Sequence, residues 1–203
     1  MELTEEQAFI VRNLYGAALI PLFGVVVLTA LGKLPRWVAV VYGLSFAICA
    51  VGWEIWYTFG LVDGLPVDER RAAALSRAIP QEINWVLTSL FDAAVCLLGL
   101  LGMWVVHGFR DTAFRRFTVP ALVVLAVVFV GQNIYVEYMI HDQVQPGKQL
   151  SWAPLIPTGP WLNFVLFEIG GREITFQTQL PWILMVPLFA ALVIRCYRRY
   201  GPG

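Results

Sequence analysis

The chain has 203 residues, 59% of them hydrophobic and 14% charged, with 14 basic and 14 acidic side chains and no formal net charge. Soluble domains carry about 25% charged residues, and a chain of this length cannot hide so much apolar surface. The composition therefore excludes an ordinary soluble fold and points to the membrane, in line with a mean hydropathy of +0.69. Charge neutrality argues against a nucleic-acid partner.

The N-terminus, Met1 to Gln7, is acidic where a secretory signal is basic, so the first apolar run is expected to stay as an anchor. Runs long enough to span a bilayer occur at Phe9–Leu31, Trp37–Phe59, Ile83–Val106, Phe117–Ile140 and Leu180–Tyr197. Gly32 to Arg36 separates the first two, and a charged loop from Asp63 to Gln81 separates the second from the third. In that loop Asp68, Glu69, Arg70 and Arg71 read as ordinary hydrophilic residues. Gly108 to Arg116 ends the third run.

After the fourth run, Pro146, Pro154, Pro157 and Pro160 break any helix before Trp161. Two β-rich stretches, Asn163–Ile169 and Arg172–Gln177, then flank Gly170-Gly171, which predicts a hairpin. Open sheet edges are not tolerated in lipid. Residues at about 141–179 are therefore expected to cap the bundle outside the bilayer, with a short sixth helix from Trp161 to Gly170 as the alternative. The expected fold is an all-α integral membrane protein, a single transmembrane domain over 1–203. It is a bundle of five transmembrane helices, six or seven being the alternatives, under an extracytoplasmic β-hairpin or loop cap.

With five spans, Lys33, Arg36, Arg110, Arg115, Arg116, Arg195, Arg198 and Arg199 gather at one end with a single acid, Asp111. The remaining basic residues are spread over longer loops at the other. By the positive-inside rule the N-terminus is outside and the C-terminus cytoplasmic. Cys49, Cys96 and Cys196 fall inside apolar runs and read as packing residues rather than a disulfide or zinc motif. His107 and His141, the only histidines, end two different helices and leave no basis for a haem.

Three carboxylates interrupt the apolar runs: Glu54, Asp92 and Glu137. Each costs roughly 2.5–3.5 kcal/mol at bilayer depth, so such residues usually have a task. The antiparallel path of the helices places all three in one membrane half, roughly 5–14 Å below the surface that carries the long loops. Asn84, Thr88, Asp92 and Cys96 recur at fourth positions, as do Asn133, Glu137 and His141. Each stripe lies on one helix face, expected to look into the bundle. Trp53, Trp56, Trp85, Trp152, Trp161 and Trp182 fall on the acidic side, against Trp37 and Trp104 opposite. An interfacial belt would occupy both surfaces. The acids are accordingly the candidate catalytic residues, with Trp53, Trp56, Tyr57, Asn84, Trp85 and Asn133 lining a substrate pocket.

A carboxyl group in apolar surroundings can hold its proton and serve as an acid, while a better-solvated neighbour serves as base. Aromatic faces nearby favour a cationic intermediate. Neither an aspartate-rich motif nor a mid-span cation occurs, so metal-dependent handling of a prenyl diphosphate is not expected, and no cofactor or resident metal is implied. Gly52-Trp53-Glu54-Ile55-Trp56-Tyr57 resembles the Trp-Glu motif of the small integral-membrane terpene cyclases of meroterpenoid and indole-diterpene pathways. The resemblance implies metal-independent, proton-initiated cyclisation of a lipophilic isoprenoid, with Glu54 as an essential acid. Members of that family usually have seven spans and a second acid in the last one, where Leu180–Tyr197 has none; Asp92 or Glu137 would take its place. A sterol isomerase of the emopamil-binding type is a close alternative. A proton-coupled transporter and a non-catalytic lipid-binding membrane subunit are alternatives of other classes. Val38–Ile48 and Val119–Val130 are almost uniformly apolar, which favours a site open at one end over a conducting path.

Overall fold

Thr4 starts the first helix with a reciprocal pair of bonds. Its hydroxyl accepts from the Gln7 amide at 3.2 Å, and the Gln7 side chain accepts from the Thr4 amide at 3.1 Å. Two of the donors orphaned at a helix start are thereby satisfied. The computed structural model, which describes residues 3–61, 66–141, 162 and 164–202, continues from there as α1 (Glu5–Ala30). At its end the Gly32 and Lys33 amides donate to the Thr29 and Leu28 carbonyls, closing the last turn in a Schellman motif.

Helix α2 (Arg36–Cys49) runs without a break through a π-helical turn (Ala50–Glu54) into α3 (Ile55–Thr58). Two short helices, α4 (Val67–Arg70) and α5 (Ala73–Ala78), lead to α6 (Gln81–Val106). A 3-10 turn (Asp111–Phe114) precedes α7 (Val119–His141). Strands β1 (Val165–Ile169) and β2 (Arg172–Thr175) then pass directly into α8 (Phe176–Tyr200).

Five helical stretches are long and apolar enough to cross a membrane: Gln7–Ala30, Arg36–Thr58, Gln81–Val106, Val119–Tyr138 and Phe176–Tyr200. Ile20, Phe23, Leu98, Val119, Val127 and Leu184, drawn from four of them, are each more than half exposed. Apolar outer faces of this kind are consistent with a multi-pass membrane protein.

Lipid gives helices no hydrophobic reason to associate, so contact between them rests on close packing and hydrogen bonds. Helix α6 lies against α1, α2 and α7, and α8 packs against α2 and α7. Gly99 makes the α6–α7 approach possible, because a Cβ there would stand 2.7 Å from the Phe129 ring and 2.9 Å from Leu125. Phe129, Phe189, Met185 and Leu125 are fully buried in the resulting core. At the basic end, the Met103 carbonyl sits 2.8 Å from His107 Nδ1, which must carry the hydrogen, while Nε2 lies 2.9 Å from the Thr118 hydroxyl. That histidine ties the end of α6 to the start of α7.

The predicted hairpin is present. Gly170 and Gly171 have φ of +58° and +80°, the double left-handed step of a type I′ turn. Ile169 pairs with Arg172 and Glu168 with Glu173, and a bulge interrupts the ladder between Val165 and Phe167. Because Val165–Ile169 is a strand, the alternative helix from Trp161 to Gly170 does not form. The last helix starts at Phe176, ahead of the predicted Leu180, and takes Phe176 and Gln177 from the predicted second strand. Hydropathy dates a span from its first apolar residues, whereas this helix opens with Gln177, Thr178 and Gln179, all buried. Residues 142–161 of the predicted cap, with Trp152, lie outside the described residues, as does Trp161.

Candidate active site

The π-helical turn sets the geometry of the second span. The Ile55 amide donates to the Ala50 carbonyl, one residue further back than in an α-helix. The wider turn lets two adjacent side chains, Trp53 and Glu54, both face inward; they are 8% and 0% exposed. Indoles brace the turn. Trp85 Nε1 donates to the Ala50 carbonyl at 2.8 Å, and Trp56 Nε1 to the Val51 carbonyl at 2.9 Å. Single π-helical turns of this kind recur at functional sites.

Opposite the turn, α6 presents Asn84, Thr88 and Asp92 along one face, all buried. Trp53 Nε1 donates to Asp92 Oδ2 at 2.8 Å. The Thr88 hydroxyl lies 2.5 Å from Glu54 Oε2 and 2.9 Å from the Asn84 carbonyl. One hydroxyl hydrogen cannot serve two acceptors, so both contacts are hydrogen bonds only when Glu54 carries a proton. The Glu54 and Asp92 carboxyl groups lie near each other on facing helices. Glu54 Oε1 is a buried acceptor facing no donor among the described residues.

The surroundings are apolar. Cys49 faces Cys96 beside both acids, and both thiols are buried and free, as is that of Cys196. Tyr57 is buried near Glu54. From Trp53 a run of rings crosses the bundle: Trp53 to Trp182 at 5.7 Å, Trp182 to Phe129 at 5.4 Å, and Phe129 to Phe189 at 5.4 Å. In the sequence Trp182 stands out only through the asymmetry of tryptophans, and Phe129 carries no signal of its own. Nothing in a span's hydropathy distinguishes a ring beside an acid from one facing lipid.

Glu137 belongs to a second polar group, between α7 and α8. Gln179 Nε2 donates to its Oε2 at 3.1 Å, Thr178 is a further partner, and Asn133 Nδ2 donates to the Thr178 carbonyl at 3.2 Å. Both partners lie in the first turn of α8, where the helix dipole favours a negative charge. The buried Gln177-Thr178-Gln179 run, read from sequence as hairpin and loop, supplies this group. His141, predicted to continue the α7 stripe, has no described side chain.

Trp56 is 45% exposed on the outer side of its helix. Trp85 supports the π-helical turn. Asn84 accepts from Arg71 Nη1 at 3.0 Å. Arg71, expected to be an ordinary loop residue, is instead buried and pairs with Asp68 at 2.6 Å. It also donates to the Ser76 hydroxyl and the Ile79 carbonyl. Burial pulls its guanidinium pKa below the ordinary value, and the carboxylate of Asp68 pushes it back. Loop and helix are joined through this one side chain.

Among the described residues, no three His, Cys, Asp or Glu side chains converge as a metal centre requires. No family model, curated protein or solved structure matches the chain.

Proposed function

We propose that the protein is a membrane-embedded acid–base enzyme, a terpene cyclase or isomerase acting on a lipophilic isoprenoid. The observation that carries this reading is the buried pair of carboxyl groups, Glu54 and Asp92, beside a row of aromatic faces. Asp92 accepts from an indole N–H, a group that can only donate, and so suits the charged member. Glu54 faces a hydroxyl that can accept, and so suits the proton carrier.

Glu54 transfers its proton to an epoxide oxygen or a terminal alkene carbon of the substrate. The C–O bond opens or the π bond is consumed, leaving a carbocation. The faces of Trp53 and Trp182 stabilise that positive charge. Attack by a neighbouring double bond closes a ring, or the charge migrates. A C–H proton then returns to the carboxylate pair, which ends as it began, with no oxidant or reductant consumed. An isomerase follows the same sequence without ring closure.

Positive-side counting supports an orientation with Lys33, Arg36 and Arg195 on the cytoplasmic face and the hairpin outside. The carboxyl pair then belongs to the outer half of the bilayer. Glu54 has no exposed surface, so turnover requires the helices around it to part.

Purified protein is expected to convert a polyprenyl epoxide or a polyprenyl arene. Glu54→Gln and Asp92→Asn are each expected to abolish turnover while the protein stays folded. Full activity in both variants would remove the acids from the mechanism. Proton flux into liposomes, lost in the same two variants, would replace catalysis with transport.

A further inference from the structure

At the basic end, far along the sequence from the carboxyl pair, a groove of about 430 Å³ lies between the start of α7 and the last turns of α8. Phe117, Ala191 and Ile194 form its apolar wall, and Arg195, Arg198 and Arg199 its polar rim. The three arginines are exposed, and among the described residues none of them forms an ion pair with a carboxylate. Asp111, the one acid gathered at this end, is engaged by the Tyr197 hydroxyl at 2.9 Å. Arg198 Nη2 donates to the Arg115 carbonyl at 3.0 Å, which fixes one side of the rim.

We propose that this groove binds an anionic phospholipid, with the headgroup phosphate on the arginines and the upper acyl chain along Phe117 and Ile194. The guanidinium fork matches phosphate oxygens in a two-bond geometry. Arg195 lies about 7.5 Å below the end of α8 at 1.5 Å per residue, the level at which a long cationic side chain reaches up to the headgroups. Three uncompensated positive charges favour an anionic headgroup over a zwitterionic one. The apolar wall gives a free anion nothing to hold. The site is independent of the carboxyl pair and of the reaction assigned to it.

The test uses the full chain in neutral detergent, with native mass spectrometry to read bound phosphatidylglycerol, phosphatidylcholine and inorganic phosphate. Phosphatidylglycerol is expected to bind in preference to phosphatidylcholine, and phosphate is expected not to displace it. A charge beside an anionic headgroup contributes roughly fivefold in affinity, so Arg199→Gln should weaken binding by about fivefold and Arg195→Gln with Arg199→Gln by about 25-fold. The charge-matched pair Lys33→Gln and Arg36→Gln should leave it unchanged. All four positions are exposed, and gel filtration checks that the variants remain folded. The proposal is overturned by undiminished phosphatidylglycerol binding in the Arg195/Arg199 variant, by an equal loss in the Lys33/Arg36 variant, or by displacement with phosphate alone.

Discussion

Thr88 engages the Glu54 carboxyl on one helix and the Asn84 carbonyl on its own through a single hydroxyl, which makes it the most informative small residue in the bundle. Thr88→Val keeps the shape and removes the hydroxyl, leaving a buried carboxyl oxygen of Glu54 without its partner. The expected loss is about 1–3 kcal/mol of stability, read as a lower unfolding temperature in detergent, with Thr88→Ser restoring most of it. A Thr88→Val protein as stable as the parent would mean that the 2.5 Å contact contributes nothing. Asn84, Thr88 and Asp92 were legible in the sequence as one stripe, because fourth-position spacing on a helix is a fixed geometric relation. Their separate partners were not. Asn84 serves Arg71 and Asp92 serves Trp53, and no periodicity links a helix face to a loop residue or to a ring on another span.

The π-helical turn is the element that changes the reading of the second span. An unbroken α-helix would set Trp53 and Glu54 on diverging faces, 100° apart, whereas here both point at α6. By hydropathy Arg36–Thr58 is one continuous span, and Glu54 within it marks an acid rather than a change of helical turn. The hairpin is the opposite case, because Gly170-Gly171 between β-rich runs announces a turn that only residues tolerant of positive φ can make. Between elements, Gly99 governs how closely α7 can approach α6. Gly99→Leu should force the helices apart at a cost of about 1–3 kcal/mol. A thermal melt monitored by helicity should show it, and an unchanged melting temperature would place the Phe129 contact elsewhere.

At the scale of the molecule, the acidic half holds two hydrogen-bonded polar groups rather than one, Glu54 with Asp92 and Glu137 with the first turn of α8. The basic half is closed by Trp37, Phe114 and Tyr197, whose rings lie 5.0–5.6 Å apart. The proposed orientation has a direct test, because all three native cysteines are buried. In intact cells a membrane-impermeant maleimide should label Glu5→Cys at once and Lys33→Cys only after permeabilisation. The reverse pattern would invert the molecule.

Composition and hydropathy alone determined that the chain forms five apolar helices long enough to cross a membrane, and that Glu54, Asp92 and Glu137 sit among them. These follow from local chemistry, since the transfer cost of a side chain depends on the residue and not on its neighbours in space. Only the tertiary structure decided which acids lie together, which ring stands beside them, and that Glu137 has partners of its own. Those facts depend on helix rotation, set here by one π-helical turn, by the space at Gly99 and by a helix that begins in polar residues.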